Sequence, residues 1–122
     1  MSDHEDEMMN QATARLTSTY GGLVACCANL PIPITLPSGL VTNLEIVPAV
    51  RRIEQLADEQ PIPDEQQAQL YTAALLWLAA ADLYKLLVTE GYVEARVGGL
   101  LGILMMTRDT LKDLGEWLLT QP

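Results

Sequence analysis

Residues 64–90, DEQQAQLYTAALLWLAAADLYKLLVTE, and residues 93–119, VEARVGGLLGILMMTRDTLKDLGEWLL, decide the fold of this chain. In both segments apolar residues recur alternately four and three positions apart, which is the spacing of one face of an α-helix. At 1.5 Å per residue each helix would be about 40 Å long. Because only Gly91 and Tyr92 join them, the two helices must fold back on each other as an antiparallel hairpin.

The apolar stripes of the two helices are predicted to face each other and form the core. The stripe of the first helix is Leu70, Ala74, Trp77, Ala81, Tyr84 and Val88. The stripe of the second helix is Val93, Val97, Leu100, Leu104, Thr107, Leu111, Leu114 and Leu118. Asp64 is predicted to cap the first helix with Gln67 as its capping-box partner, and Gly91 to end it. The spacing of Gly98 and Gly102 indicates a place where the preceding helix approaches closely.

Before the hairpin, the sequence predicts two further helices. Apolar residues at helical spacing predict one over residues 7–29, with a kink or break where Gly21 and Gly22 interrupt the pattern. A short helix is predicted over residues 48–60, with Pro48 in its first turn.

Three prolines exclude a regular helix from residues 30–47, the segment between these two helices. We predict an extended, proline-rich strap that lies over the helices, in which Leu40, Val41 and Thr42 could pair back as a short hairpin arm. The predicted fold is therefore all-α: a small bundle of about four helices built on a long antiparallel C-terminal hairpin.

Composition and charge restrict the classes of function. The chain has 122 residues, of which 49% are hydrophobic, and 16 acidic against 7 basic side chains give a formal net charge of −9. Such a chain is long and apolar enough to fold as one domain without a metal ion or disulfide. Its charge argues against direct binding to nucleic acid or anionic lipid, which would repel it. Residues 1–7 are predicted to be an acidic flexible tail, and residues 8–122 a single helical domain.

Targeting signals and cysteines indicate a cytoplasmic protein. The N-terminus is acidic, whereas a signal peptide begins with a basic region and an apolar core. The most apolar stretch, residues 73–81, ends at Asp82 and is too short to cross a bilayer, so we predict no membrane association. Cys26 and Cys27 are adjacent, which disfavours an ordinary disulfide between them. We predict buried free thiols, with a disulfide between two copies of the chain as the alternative.

The reactive side chains argue against an enzyme. His4 is the only histidine and lies in the acidic tail, so neither cysteine has a general base. Carboxylates lie four positions apart at Glu90 and Glu94 and at Asp109 and Asp113, and such pairs can hold a hard cation or share a proton. Basic neighbours favour ordinary surface charge patterning instead. We predict no catalytic residue, no cofactor and no metal site.

Apolar residues also lie outside the two stripes. They are Leu75, Leu76 and Leu78 in the first helix, and Leu101, Ile103, Met105 and Met106 in the second. Helices that are apolar over most of their circumference need more than each other to cover them. We therefore predict contact with a second copy or another protein, the alternative being a self-sufficient four-helix core. The predicted protein-binding residues are Leu104, Leu111, Leu114, Trp117 and Leu118.

In size, acidity and helical character the chain resembles small bacterial and phage regulators that bind larger proteins, including antiactivators, anti-defence inhibitors and secretion chaperones. This resemblance is one of class and involves no family motif. Our first hypothesis is an acidic helical homodimer that binds and inhibits a larger protein, such as a transcriptional regulator, through an apolar helical face. The alternative is an acidic chaperone, anti-defence inhibitor or nucleic-acid mimic for a basic protein partner. The salt dependence of binding distinguishes an apolar from an acidic interface.

Overall fold

The computed structural model describes residues 2–39 and 43–122. Within these ranges the elements are α1 (Asp3–Ala28), α2 (Asn43–Leu56), a 3-10 turn (Ala57–Glu59), α3 (Asp64–Glu90) and α4 (Glu94–Leu119). These residues contain no strand, and α3 and α4 form the long C-terminal hairpin. The predicted all-α bundle is confirmed. The hairpin arm predicted for Leu40, Val41 and Thr42 lies outside the described residues.

The seam between α3 and α4 is the main core of the hairpin. The predicted stripe of α4 is buried from Val97 to Leu114, including Thr107, whose hydroxyl donates to the carbonyl of Ile103 at 2.8 Å. On α3 the stripe is correct at its start, but Val88 is 62% exposed and Leu87 is buried in its place. Counted from Tyr84, the next step of a 3.5-residue repeat falls midway between positions 87 and 88. The spacing alone therefore does not show which of the two residues is buried.

Helix α1 begins earlier than predicted. The side chains and backbone of Ser2 and Glu5 form a reciprocal capping box, which starts the helix at Asp3. The acidic residues assigned to a flexible tail over 1–7 therefore belong to a helix from Asp3 onward, where their charges favour the positive end of the helix dipole. The break predicted at Gly21 and Gly22 is wrong, since α1 continues without interruption to Ala28.

Residues 31–39 have no regular helix or strand, and the predicted strap over the helices is not confirmed. Helix α2 begins at Asn43 and takes up the last part of the predicted strap. The side-chain amide of Gln60 fixes the segment by donating to the carbonyl of Ile32 at 2.7 Å and accepting from its N–H at 3.1 Å. Leu36 is buried, whereas Ile32 is 54% exposed, so only part of the segment packs on the core.

Two predictions about helix starts are also wrong. Pro48 lies inside α2 rather than in its first turn, because α2 already begins at Asn43, and Ile46 in the preceding turn packs on the core. Helix α3 starts at Asp64 as predicted, but its N-cap residue is Pro63 and Asp64 makes no capping bond. Gln67 instead donates to the carbonyl of Gln60 at 2.9 Å. Its side chain therefore ties α3 to the preceding turn.

Helices α1 and α2 lie on the same flank of the hairpin. Gly22 and Cys26 of α1 lie against Leu111 and Gly115 of α4. The Trp77 indole N–H on α3 donates to the carbonyl of Leu16 at 3.3 Å, and α2 packs on α3 beside it without approaching α4. The molecule therefore has two layers, the hairpin and a covering layer of α1 and α2.

Gly98, Gly99 and Gly102 of α4 do not mark a place where another helix packs closely, although the spacing predicted one. A Cβ built at Gly98, Gly99 or Gly102 would meet nothing within 4 Å. The sequence interpretation of Gly98 and Gly102 as a contact with the preceding helix is therefore wrong. Gly91, in contrast, has φ 100° and ψ 167°, a backbone conformation that only glycine adopts readily.

We expect opposite effects of alanine at two of these glycines. Gly98→Ala should raise the free energy of unfolding by about 1 kcal/mol, because the helix interior favours alanine and the space is open. Gly91→Ala should lower it by about 1–3 kcal/mol, because its φ is unfavourable for an L-residue. Urea denaturation of the two variants measures both changes. A destabilised Gly98→Ala would contradict the open surroundings of that position.

Candidate functional site

Most of the residues predicted to bind a protein lie inside the molecule. Leu104, Leu111 and Leu114 are at most 5% exposed and belong to the seam of the hairpin. Trp117 and Leu118 are half-buried against the same core. The first three are therefore wrong as surface contacts. They belong to the strongest apolar stripe of the sequence, and the chain buries that stripe in its own core.

Three of the seven apolar residues outside the stripes are exposed, and the other four are half-buried. Leu75 is 38% exposed on α3, and Met105 and Met106 are each 50% exposed on α4. Leu86 at 40% joins them, a residue that the sequence analysis did not single out. The expected excess of apolar surface is present, although at other positions than those predicted to bind.

The residues on the flank of the hairpin away from its contacts with α1 and α2 are here called the outer face. On α3 the flank that faces the covering layer carries Leu78 and Ala81, and on α4 it carries Arg108 and Gly115. Helical spacing places a second set of residues on the other flank of each helix. The outer face comprises Leu75, Leu76, Ala79, Leu83 and Leu86 of α3, and Gly99, Ile103, Met106, Thr110 and Trp117 of α4.

The outer face is apolar and only partly buried. Leu76, Leu83, Ile103 and Trp117 are half-buried at the edge of the seam, while Leu75, Leu86 and Met106 project further into solvent. The residues that hold α1 on the hairpin, such as Trp77 and Leu111, lie on the other side of the two helices. A signal in the sequence could have found this surface, because Leu76, Ala79, Leu83 and Leu86 form a second 3–4 repeat beside the main stripe.

One carboxylate of each predicted alternative cation pair has a partner within the chain. Glu94 accepts from the hydroxyl of Tyr92 and lies 3.2 Å from Nε2 of His4, which joins the start of α1 to the turn of the hairpin. Asp109 pairs with its neighbour Arg108 at 3.1 Å. The described residues contain no group of three or more potential metal ligands.

The hydrogen bonds of Glu94 shift the pKa of Glu94 itself and the pKa of Tyr92. Its pKa is lowered first by the hydrogen bond from Tyr92 and then by the one from His4. The hydrogen bond to the Glu94 carboxylate in turn raises the pKa of Tyr92 to about 12. Both groups are therefore held in the protonation states that they have at neutral pH.

The two cysteines are free and buried, as predicted. Burial raises the pKa of both thiols, that of Cys27 to about 12. The Cys26 thiol donates to the carbonyl of Leu111 at 3.5 Å. A thiol that is protonated and packed in the core is a poor nucleophile, so it is also poorly placed to bridge two chains.

Helix α3 is long and apolar enough to cross a bilayer by length and composition alone, with a mean hydropathy of 1.4 over 18 residues. The helix packs against the other three helices. One such helix is weak evidence of a membrane span, because the core helix of a helical bundle has the same properties.

No protein-family model, curated protein or solved structure matches the chain.

Alanine substitutions should separate the seam from the exposed positions. Leu104→Ala and Leu114→Ala should each lower the free energy of unfolding by about 2–5 kcal/mol, because each removes a buried side chain. Leu119→Ala should change it by less than about 0.5 kcal/mol, because Leu119 is 85% exposed. Chemical denaturation gives the three values. Equally small losses of stability at all three positions would contradict the burial of Leu104 and Leu114 in the seam.

The Glu94 cluster predicts a pH-dependent contribution to stability. The lowered pKa means that the contribution of Glu94 is complete above its ordinary pKa of 4.5 and is lost as the pH falls through the lowered value. The raised pKa of Tyr92 means that its contribution to stability is complete below pH 10.0, the ordinary pKa of the side chain. Wild type should therefore be more stable than Glu94→Gln at pH 7, and the difference should disappear toward pH 3.

Urea unfolding of both proteins across this pH range makes the measurement. Glu90→Gln is the matched control, because the Glu90 carboxylate makes no hydrogen bond or ion pair in the described structure. A difference between wild type and Glu94→Gln that stays constant with pH would show that the cluster does not titrate with folding.

Proposed function

We propose that this chain is a regulatory interaction protein that binds and inhibits a larger protein through its outer face. The observation that carries the proposal is the apolar character of that face, on which Leu75, Leu86 and Met106 stay exposed while α1 and α2 cover the opposite flank. Contiguous exposed apolar surface on a soluble protein generally marks a site of contact with a partner. A regulator such as a transcription factor would be inhibited by having its own association surface covered.

Several features suit the outer face to a protein partner. Met106 and Ile103 are flexible or aliphatic side chains that adapt to a second surface, and methionine is favoured at such contacts. Trp117 lies at one end of the face, and tryptophan is enriched at the energetic centres of interfaces. Gly99 lacks a side chain, so that a partner helix could approach the backbone of α4 closely.

In the absence of that partner, we propose that a second copy covers the same face. A two-fold dimer would place each outer face against its equivalent, so that one interface covers the exposed apolar residues of both chains. The homodimer and the complex with the larger protein then compete. Dimerisation should therefore lower the apparent affinity for the larger protein, counted per total chain, below the affinity of the free monomer.

The inventory of reactive groups supports a protein without catalytic activity. The cysteines are buried thiols with raised pKa, and Glu94 is engaged by Tyr92 and His4. We propose a cytoplasmic protein that requires no cofactor or metal and does not bind nucleic acid or membrane directly.

Aspartate substitutions on the outer face test the proposal. Met106→Asp and Leu86→Asp place a charge on the face at exposed helical positions, where the fold should tolerate it. We expect wild type to have twice the monomer mass by light scattering and both variants to have the monomer mass. Affinity purification from the native cell should recover an inhibited partner with wild type but not with either variant.

Leu119→Asp is the matched control, because Leu119 is 85% exposed and lies outside the outer face. It should keep both the dimer and the partner, and circular dichroism should show that all variants remain helical. Unchanged mass and unchanged partner recovery in Met106→Asp and Leu86→Asp would overturn the placement of the interface.

A second candidate function uses the acidic surface instead. Apart from Glu45, the acidic side chains of the described residues form ion pairs only at Glu94 and Asp109, so most of the negative charge faces solvent. Such a surface could act as a chaperone, an anti-defence inhibitor or a nucleic-acid mimic for a basic protein. Partner binding that weakens steeply with added salt would favour this mode, whereas burial of the outer face is nearly insensitive to salt.

A further inference from the structure

A groove between α1 and α4 concentrates positive charge in an otherwise acidic molecule. It lies on the flank opposite the outer face and encloses about 450 Å³, within the range of small-molecule sites. No acidic and no aromatic side chain lines it. The lining residues are Arg15, Ser18, Thr19, Gly22, Cys26, Leu104, Met105, Arg108, Leu111 and Lys112.

Three of the seven basic residues of the chain border this one groove. Arg108 pairs with Asp109 at 3.1 Å through an exposed contact. Arg15 and Lys112 have no carboxylate within 4 Å in the described part of the chain. Arg15 on α1 and Arg108 and Lys112 on α4 therefore place positive charge on both walls of one groove, an arrangement that suits a bound anion.

The floor of the groove is apolar and preformed. Leu104 and Leu111 are buried beneath it, and the Cys26 thiol is satisfied by the carbonyl of Leu111. Gly22 of α1 faces Leu111 of α4, and a Cβ at Gly22 would lie 3.5 Å from Leu111 Cδ1, at ordinary van der Waals distance. Met105 is 50% exposed at the rim and can adapt to the shape of a bound group.

We propose that this groove binds a small amphipathic anion, in which a carboxylate or phosphate group is carried on a short apolar chain. The anionic group would lie between Arg15, Arg108 and Lys112, where the guanidinium groups can donate paired hydrogen bonds to its oxygens. The apolar chain would lie over Leu104 and Leu111. This site is independent of the proposed function, because it lies on the other flank of the hairpin.

The surroundings select against larger anions. A nucleotide base generally binds by stacking on an aromatic ring, and the groove has none. A polyanion such as nucleic acid would be repelled by the acids elsewhere on the surface, whereas a small anion interacts mainly with the nearest charges because salt screens the rest.

Titration of the isotope-labelled chain with four probes tests the proposal. The probes are octanoate, octyl phosphate, octanol and inorganic phosphate. Octanoate or octyl phosphate should give saturable amide shifts that are confined to residues 15–26 and 104–112. Octanol and inorganic phosphate should bind at least about tenfold more weakly, since each lacks one of the two required features. The comparison of octanoate with octyl phosphate identifies the preferred anionic group.

Charge-removing variants provide the second measurement. Arg108→Gln and Lys112→Gln should each weaken binding of the preferred probe about tenfold by calorimetry, the loss expected for one hydrogen bond to a charged group. Arg96→Gln changes the net charge equally but lies outside the groove, so its affinity should stay at the wild-type value.

Three results would overturn the proposal. They are equal affinity for octanol and octanoate, equal losses in Arg108→Gln and Arg96→Gln, and amide shifts that map to the outer face instead of the groove. Because Arg108 and Lys112 are exposed, their variants should stay folded, and the amide spectrum of each variant verifies this directly.

Discussion

The packing of aliphatic side chains along the seam between α3 and α4 is the interaction on which the rest of the structure depends. Its buried residues run from Val97 to Leu114 on α4 and from Leu70 to Leu87 on α3. Helices α1 and α2 pack on this hairpin and make no close backbone approach to each other. The hairpin is therefore the platform of the fold. The outer face exists because the covering layer occupies only one of its two flanks.

The sequence predicted this platform well because two long helices with a short connection leave one arrangement open. Two of the wrong predictions concern places where a local side-chain hydrogen bond determines the structure. The capping box of Ser2 and Glu5 starts α1 inside a stretch that composition alone assigned to a tail. Gln67 bonds to the turn before α3 rather than to the helix end. Neither choice is visible from apolar spacing.

The candidate site was predicted less well than the fold, for a related physical reason. The most regular apolar stripe is the one that the chain buries against itself, so residues such as Leu111 and Leu114 identify the core rather than an interface. The interface that we propose lies on the weaker, flanking repeat, which includes Leu83 and Leu86. The cationic groove had no signal in the sequence at all, because Arg15 and Arg108 come together only through the packing of α1 on α4.

The two-layer arrangement also has a consequence for how the chain folds during synthesis. Helices α1 and α2 leave the ribosome first, yet the surface on which they pack is made by the last two helices. The apolar sides of α1 and α2, which include Leu23 and Ile53, therefore stay exposed until the hairpin has formed. The hairpin itself depends on contacts close in sequence and can assemble quickly once it emerges. The order of folding should thus be the reverse of the order of translation, with the C-terminal half acting as the nucleus.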